Sequence, residues 1–174
     1  MSSSLFFLAQ TTSIAIFLIL TQFSTVQSNP QTISQTCKQT PYYNLCLNHL
    51  TADPRSSTAD VKGLALIMVD LLKGKTTRSA QFIKQITGKR PDLQKLLKEC
   101  ARKYDVILTA NIPVAIEALE KGDPKFAEGG MNDAAIEVNS CESSFRGTKS
   151  PLSSYNKLLH DTSLVASAIA RQLL

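Results

Sequence analysis

Residues 121–130 read KGDPKFAEGG, and the punctuation in this stretch decides the fold. Gly122 is the residue type that ends a helix, because without a Cβ it enters the left-handed backbone region at no steric cost. Asp123-Pro124 is a pair that starts one: a short acceptor side chain can receive an N–H of the first turn, and a proline at the first helical position lacks only an N–H that has no partner there. A stop followed at once by a start makes the two flanking helices antiparallel. Positions equidistant from the turn then face each other. The midpoint between Cys100 and Cys141 is 120.5, inside Glu120-Lys121-Gly122, so these two cysteines are expected to bridge the helices.

The same periodicity extends outward in both directions. Before the turn, Leu93, Leu96 or Leu97, Cys100, Tyr104, Ile107 or Leu108, Ala115 and Leu119 follow the three-to-four spacing of one helix face. Pro113 interrupts it and predicts a kink, since an interior proline removes a hydrogen bond and crowds the preceding turn. After the turn, Phe126, Gly130, Ala134, Val138, Cys141 and Phe145 form a further face, and Leu152, Tyr155, Leu158 or Leu159, Val165, Ile169 and Leu173 another. Upstream, Thr58 to Thr87 carries Val61, Leu64, Met68, Leu71 or Leu72, Phe82 and Ile86, with Gly88 as the stop. Thr40-Pro41 and Ser150-Pro151 repeat the start signal of Asp123-Pro124. No stretch alternates with period two. The expectation is an all-α, up-down-up-down four-helix bundle over residues 58–174, preceded by an N-terminal helical hairpin extension at 29–57.

Residues 1–28 carry no charged side chain. The apolar stretch at 5–20 is interrupted by Gln10, Thr11 and Thr12 and is shorter than the ~20 residues that span a bilayer. With Val26 and Ser28 at the small-residue positions, it reads as a signal peptide cleaved after Ser28. The formal charge of +5 then belongs entirely to residues 29–174, expected to be one secreted domain with no membrane association. Four cysteines in an oxidising compartment favour two disulfides. Cys37 and Cys46 bracket the Thr40-Pro41 turn and are expected to pair, alongside Cys100–Cys141. Zinc fails on spacing: there is no CxxC pair, and His49 and His160 stand apart from the cysteines.

A catalytic constellation is equally hard to find, so the chain reads as a binding module instead of an enzyme. His160 and His49 neighbour Asp161 and Asn48, but adjacent helical residues point in different directions, and no GxSxG turn presents a serine. Glu117, Glu120 and Glu128 read as structural or surface carboxylates. Gly129-Gly130 follows a helix start and not a strand, which excludes a phosphate loop; no cofactor or metal is expected. A basic secreted domain suits an acidic polysaccharide, a membrane surface, nucleic acid or an acidic protein. Nucleic acid is disfavoured, because KGKTTR at 73–78 and GKR at 88–90 are short and lack interleaved aromatics.

The signal segment, the Cys-x8-Cys hairpin containing PYYNLC at 41–46, and the bundle with Cys100 and Cys141 on facing helices together resemble the plant invertase and pectin methylesterase inhibitor family across residues 29–174. The resemblance implies a secreted inhibitor located in the apoplast (cell wall) or vacuole. In the family's invertase inhibitors a Pro-Lys-Phe motif before the third bundle helix enters the sucrose-binding cleft, and Pro124, Lys125 and Phe126 match it. The implied target is therefore acid invertase (beta-fructofuranosidase). Pectin methylesterase is the alternative target, and Val138-Asn139-Ser140-Cys141 departs from the TTC-like ending of that inhibitor type. A small secreted enzyme or ligand carrier is the reading from another class. By periodicity Phe126 belongs to the apolar face of its helix; as a docking anchor it has to point away from it.

Overall fold

A computed structural model describes residues 30–174; the expected signal segment at 1–28 lies outside the described residues. Two short helices, α1 (Pro30–Lys38) and α2 (Tyr43–Ala52), form the N-terminal hairpin, and a 3-10 turn at Pro54–Ser57 leads into the bundle. There α3 (Val61–Thr87) is followed by a 3-10 turn at Pro91–Leu93 and by α4 (Gln94–Val106). A π-helical turn at Ile107–Asn111 joins α4 to α5 (Ile112–Lys121), and α6 (Pro124–Ser143) and α7 (Ser153–Arg171) complete the chain. Each long helix packs on its sequence neighbours, and α7 closes the ring against α3. Among the described residues there is no strand.

The α5–α6 corner is built as the sequence predicts, with one change. Gly122 sits in the left-handed region at φ 79°, and Asp123 N–H donates to the Ala118 carbonyl at 2.8 Å while Gly122 N–H reaches that of Leu119 at 3.4 Å. This double closure ends a helix sharply. The Asp123 side chain makes no capping hydrogen bond; Pro124 and the fixed turn suffice to start α6. The other two start signals act differently from expectation. Thr40 Oγ1 donates back to the Cys37 carbonyl at 2.8 Å and so closes α1, and Ser150 Oγ accepts from Leu152 N–H at 3.1 Å, one turn ahead of α7. The side-chain cap of α3 comes from Asp60, which accepts from Gly63 N–H at 2.8 Å.

Pro113 produces a π turn instead of a simple kink. Its ring removes a donor from the ladder, and the preceding turn widens by one residue, so that Ile112 N–H reaches back to the Ile107 carbonyl. The bulge places the Asn111 carbonyl against α6 at Gly130, which has no side chain to crowd it. A Cβ at Gly130 would lie 3.0 Å from that oxygen.

Both disulfides form as the turn geometry requires, Cys37–Cys46 with Cα atoms 5.5 Å apart and Cys100–Cys141 at 4.8 Å. All four cysteines are buried. Around the second bridge lies a polar network in an otherwise apolar core. The hydroxyl of fully buried Tyr104 donates to Asn156 Oδ1 at 2.5 Å, and Asn156 Nδ2 donates to Glu142 Oε2 at 2.6 Å, which ties α4, α6 and α7 together beside the disulfide. Burial pushes the Tyr104 hydroxyl well above its ordinary range, which keeps it a donor. The core of α7 is small and partly polar, with Ser163, Ala166, Ser167 and Ala170 buried; the Ser163 hydroxyl is satisfied by the Leu159 carbonyl at 2.9 Å. Gln172 Nε2 donates to the Thr36 carbonyl at 3.0 Å and fastens the hairpin to the end of α7.

Two outcomes follow for stability. Replacing Cys100 and Cys141 by serine is expected to lower unfolding free energy by about 4 kcal/mol, and the Cys37/Cys46 pair by about 2.5 kcal/mol, because the bridges close loops of 41 and 9 residues; chemical denaturation of the two variants under non-reducing conditions measures both. Gly130→Ala, otherwise favourable within a helix, is expected to destabilise by about 1–3 kcal/mol through overpacking against Asn111, read as a lowered Tm.

Candidate functional site

Lys125 and Phe126 occupy the first turn of α6, immediately after the Gly122 corner. Phe126 is 65% exposed, so periodicity misplaces it: the buried residues of α6 are Ala127, Glu128, Gly130, Met131, Ala134, Ala135, Val138 and Cys141. The rest of the expected face holds, with Gly130, Ala134, Val138, Cys141 and Phe145 all buried, and Phe126 alone departs from it. An exposed phenylalanine on a rigid helix start is an unusual placement for so much apolar surface. Val114 of α5, 45% exposed, stands beside it.

Phe126 separates two shallow grooves of about 300 and 310 Å³. One is floored by Ala110, Asn111 and Gly130 and edged by Asp133; the other runs between Val114, Glu117, Lys121 and Asp123. The Asn111 side-chain oxygen is buried and, among the described residues, has no hydrogen-bond partner. A buried acceptor without a donor costs free energy until something supplies one.

Lys125 is not a free ammonium. Its Nζ donates to Glu128 Oε2 at 2.8 Å, and Arg171 Nε, from the last turn of α7, donates to Glu128 Oε1 at 2.6 Å. Glu128 itself is buried while both cations are largely exposed. The hydrogen bond from Lys125, then that from Arg171, hold the Glu128 carboxyl below its usual range against the opposing effect of burial. Glu128 thereby pins the start of α6 to the end of α7, and because it has two cations, release of Lys125 leaves it still paired. Nothing in the sequence marks this triad, since Arg171 lies 43 residues away.

These geometries sit within a known family. The family model described as plant invertase/pectin methylesterase inhibitor matches residues 31–169. The chain belongs to the plant invertase/pectin methylesterase inhibitor family. Membership places it among protein inhibitors of enzymes and not among enzymes. It is 47% identical over 137 residues to the cell wall/vacuolar inhibitor of fructosidase 1 of Arabidopsis thaliana, a match covering 79% of this chain and 66% of that relative's length. It is 35% identical over 152 residues to inhibitor of fructosidase 2 of the same plant, covering 86% and 83%. The crystal structure of a mutant form of an Arabidopsis pectin methylesterase inhibitor shares the fold, with a TM-score of 0.71 at 20% identity over 85% of this chain and 99% of that one.

Within this family member the remaining titratable residues are dispersed. Glu117 and Glu120 lie on the exposed face of α5. His160 does meet its sequence neighbour, Nδ1 lying 3.0 Å from Asp161 Oδ1, contrary to the expectation that they diverge. Asp161 is buried at the seam with the hairpin, where Lys157 also pairs with it and stands 5.5 Å from the Tyr42 ring; this ties the hairpin to the bundle. The charge around Phe126 is likewise not what the basic total suggests. Glu117, Asp123 and Asp133 line the site together with Lys121, which pairs with Glu117, and Lys125, so the two signs nearly balance there.

The triad carries a pH signature. Glu128 ionises more readily in the folded state than its ordinary value of 4.5, so its contribution is present above that value and is lost as pH falls through the lower folded-state value. Glu128→Gln is expected to lower Tm at neutral pH, with the gap to the parent protein closing below about pH 4; paired thermal melts across pH check this.

Proposed function

We propose that this protein inhibits acid invertase by seating Phe126 and Lys125 in the enzyme's sugar-binding cleft. The observation that carries the reading is the exposed Phe126 at a helix start fixed by Gly122 and Pro124. The two Arabidopsis relatives named as inhibitors of fructosidase supply the target class, and their names place the site of action in cell wall or vacuole.

The physical case starts with preorganisation. Pro124 fixes φ, the corner is closed by two backbone hydrogen bonds, and Glu128 pins the first turn, so little freedom is lost when the site is covered. Phe126 and Val114 supply apolar area, and an aromatic anchor of this kind typically loses 2 kcal/mol or more on truncation. Retaining glycosidases hold two carboxyl groups around the scissile bond, and Lys125 exchanges its bond to Glu128 for one to such a carboxylate. Arg171 stays on Glu128 throughout, so no buried charge is left alone.

Phe126→Ala is expected to weaken inhibition of acid invertase by about 30-fold or more without changing helicity, because the side chain contributes little to the core. Adding Lys125→Ala should abolish inhibition at equimolar ratio. Residual activity assays and far-UV circular dichroism read the two effects separately, and full inhibition by the well-folded double variant would overturn the assignment.

A further inference from the structure

The positive charge of the chain is concentrated in one part of it. Residues 73–103 hold ten Lys and Arg against two Asp and Glu, whereas residues 104–145 hold two against eight. The fold turns this sequence asymmetry into a spatial one. Residues 73–103 comprise the second half of α3, the 3-10 turn and α4, and these sit at the end of the bundle opposite the Gly122 corner. The α6–α7 connection, which returns to the same end, adds Arg146 and Lys149.

Most of this charge is uncompensated. Arg90 pairs with Asp92, Arg102 with Glu99, and Lys103 with Glu137. Among the described residues, exposed Lys73, Arg78, Lys84, Lys89, Lys95 and Lys98 have no carboxylate partner. Lys73 to Lys84 alone span about 16 Å along the helix axis, and the antiparallel turn at 88–93 carries the row onto α4. Half-buried Lys75 is held below its ordinary range by burial and by the like charge of Arg78, with no anion to offset either. Natural surfaces intersperse the two signs, and a large field of one sign raises the local concentration of the opposite one.

We propose that this basic end is a second binding site, for a linear polysaccharide bearing carboxylates on successive sugars. Its chemistry favours that class of polyanion. Lysines dominate the unpaired set, and they act as hydrated point charges suited to a diffuse carboxylate row, without the fork geometry that singles out phosphate. Membrane binding needs apolar side chains beneath the charges, and none of the exposed large hydrophobic residues falls between 73 and 103. The same absence of exposed aromatics removes the stacking platforms that single-stranded nucleic acid uses. The ligand would run across α3 and α4, while Phe126 is set apart by the length of α6, about 30 Å for 20 residues. Both ends can be occupied at once, which holds the inhibitor on a charged matrix with its docking corner outward.

Binding of the protein to polygalacturonate, measured by isothermal titration at low ionic strength, tests this directly, with the fully methyl-esterified polymer, duplex DNA and anionic lipid vesicles as comparators. The expected result is binding to the free acid, at least tenfold weaker binding to the ester, and loss of binding in about 0.5 M salt. Lys84→Glu/Lys89→Glu/Lys95→Glu should weaken binding at least tenfold while retaining the parent's thermal transition, and Lys84→Gln/Lys89→Gln/Lys95→Gln gives the same direction should charge reversal disturb folding. Phe126→Ala should bind the polymer as the parent does, which separates this site from the docking corner. No binding at low salt, equal binding to acid and ester, undiminished binding by the folded lysine variants, or tighter binding to DNA or vesicles would each overturn the proposal.

Discussion

The left-handed turn at Gly122 is the constraint on which the rest of the molecule depends. With two backbone hydrogen bonds it stops α5, and in the next residues it reverses the chain into α6. That reversal sets the register in which Cys100 meets Cys141 and in which Tyr104, Asn156 and Glu142 form one buried network. A slip of one residue would turn the cysteines apart and strand buried polar groups. The same turn fixes the direction in which the first residues of α6 point. Structure and candidate site therefore share a single local cause.

Close approach is the second consequence of that corner. The π turn at Pro113 brings the Asn111 carbonyl so close to α6 that a Cβ at Gly130 would crowd it, and half of the buried face of α6 is small, from Ala127, Gly130, Ala134 and Ala135. Phe126, on the outward side of the first turn, stands between two grooves. Glu128, buried and held by Lys125 and Arg171, reinforces the placement by joining the start of α6 to the end of α7. A buried carboxylate with two cations is costly to create but resistant to losing one of them, which suits a lysine that has to change partners.

Much of the fold was legible because its signals were local or arithmetic. Helix stops, the Asp123-Pro124 start and the symmetry of Cys100 and Cys141 about 120.5 are properties of short stretches and of counting. What was not legible depended on the neighbour across the interface. On α6 periodicity marks the inward face correctly from Gly130 onward and fails only at Phe126, whose strong hydropathy signal says nothing of where the first turn after the corner points. Pro113 announced a defect without saying that a π turn would absorb it. Thr40 and Ser150 looked like caps of the helices after them, yet Thr40 serves the helix before it. The Lys125–Glu128–Arg171 triad joins residues from distant parts of the chain. Charge is the reverse case: its segregation is written in the sequence, but only the antiparallel bundle turns two segments of opposite sign into two ends of one molecule.

The helical bundle carries an aromatic corner at one end and a basic surface at the other. The corner is tested most directly by titrating an acid invertase with the mature protein at several sucrose concentrations. Occupation of the sugar-binding cleft predicts inhibition near equimolar ratio at low sucrose, with an apparent inhibition constant that rises with sucrose and an unchanged limiting rate. Inhibition independent of sucrose, or inhibition of pectin methylesterase with invertase unaffected, would contradict it.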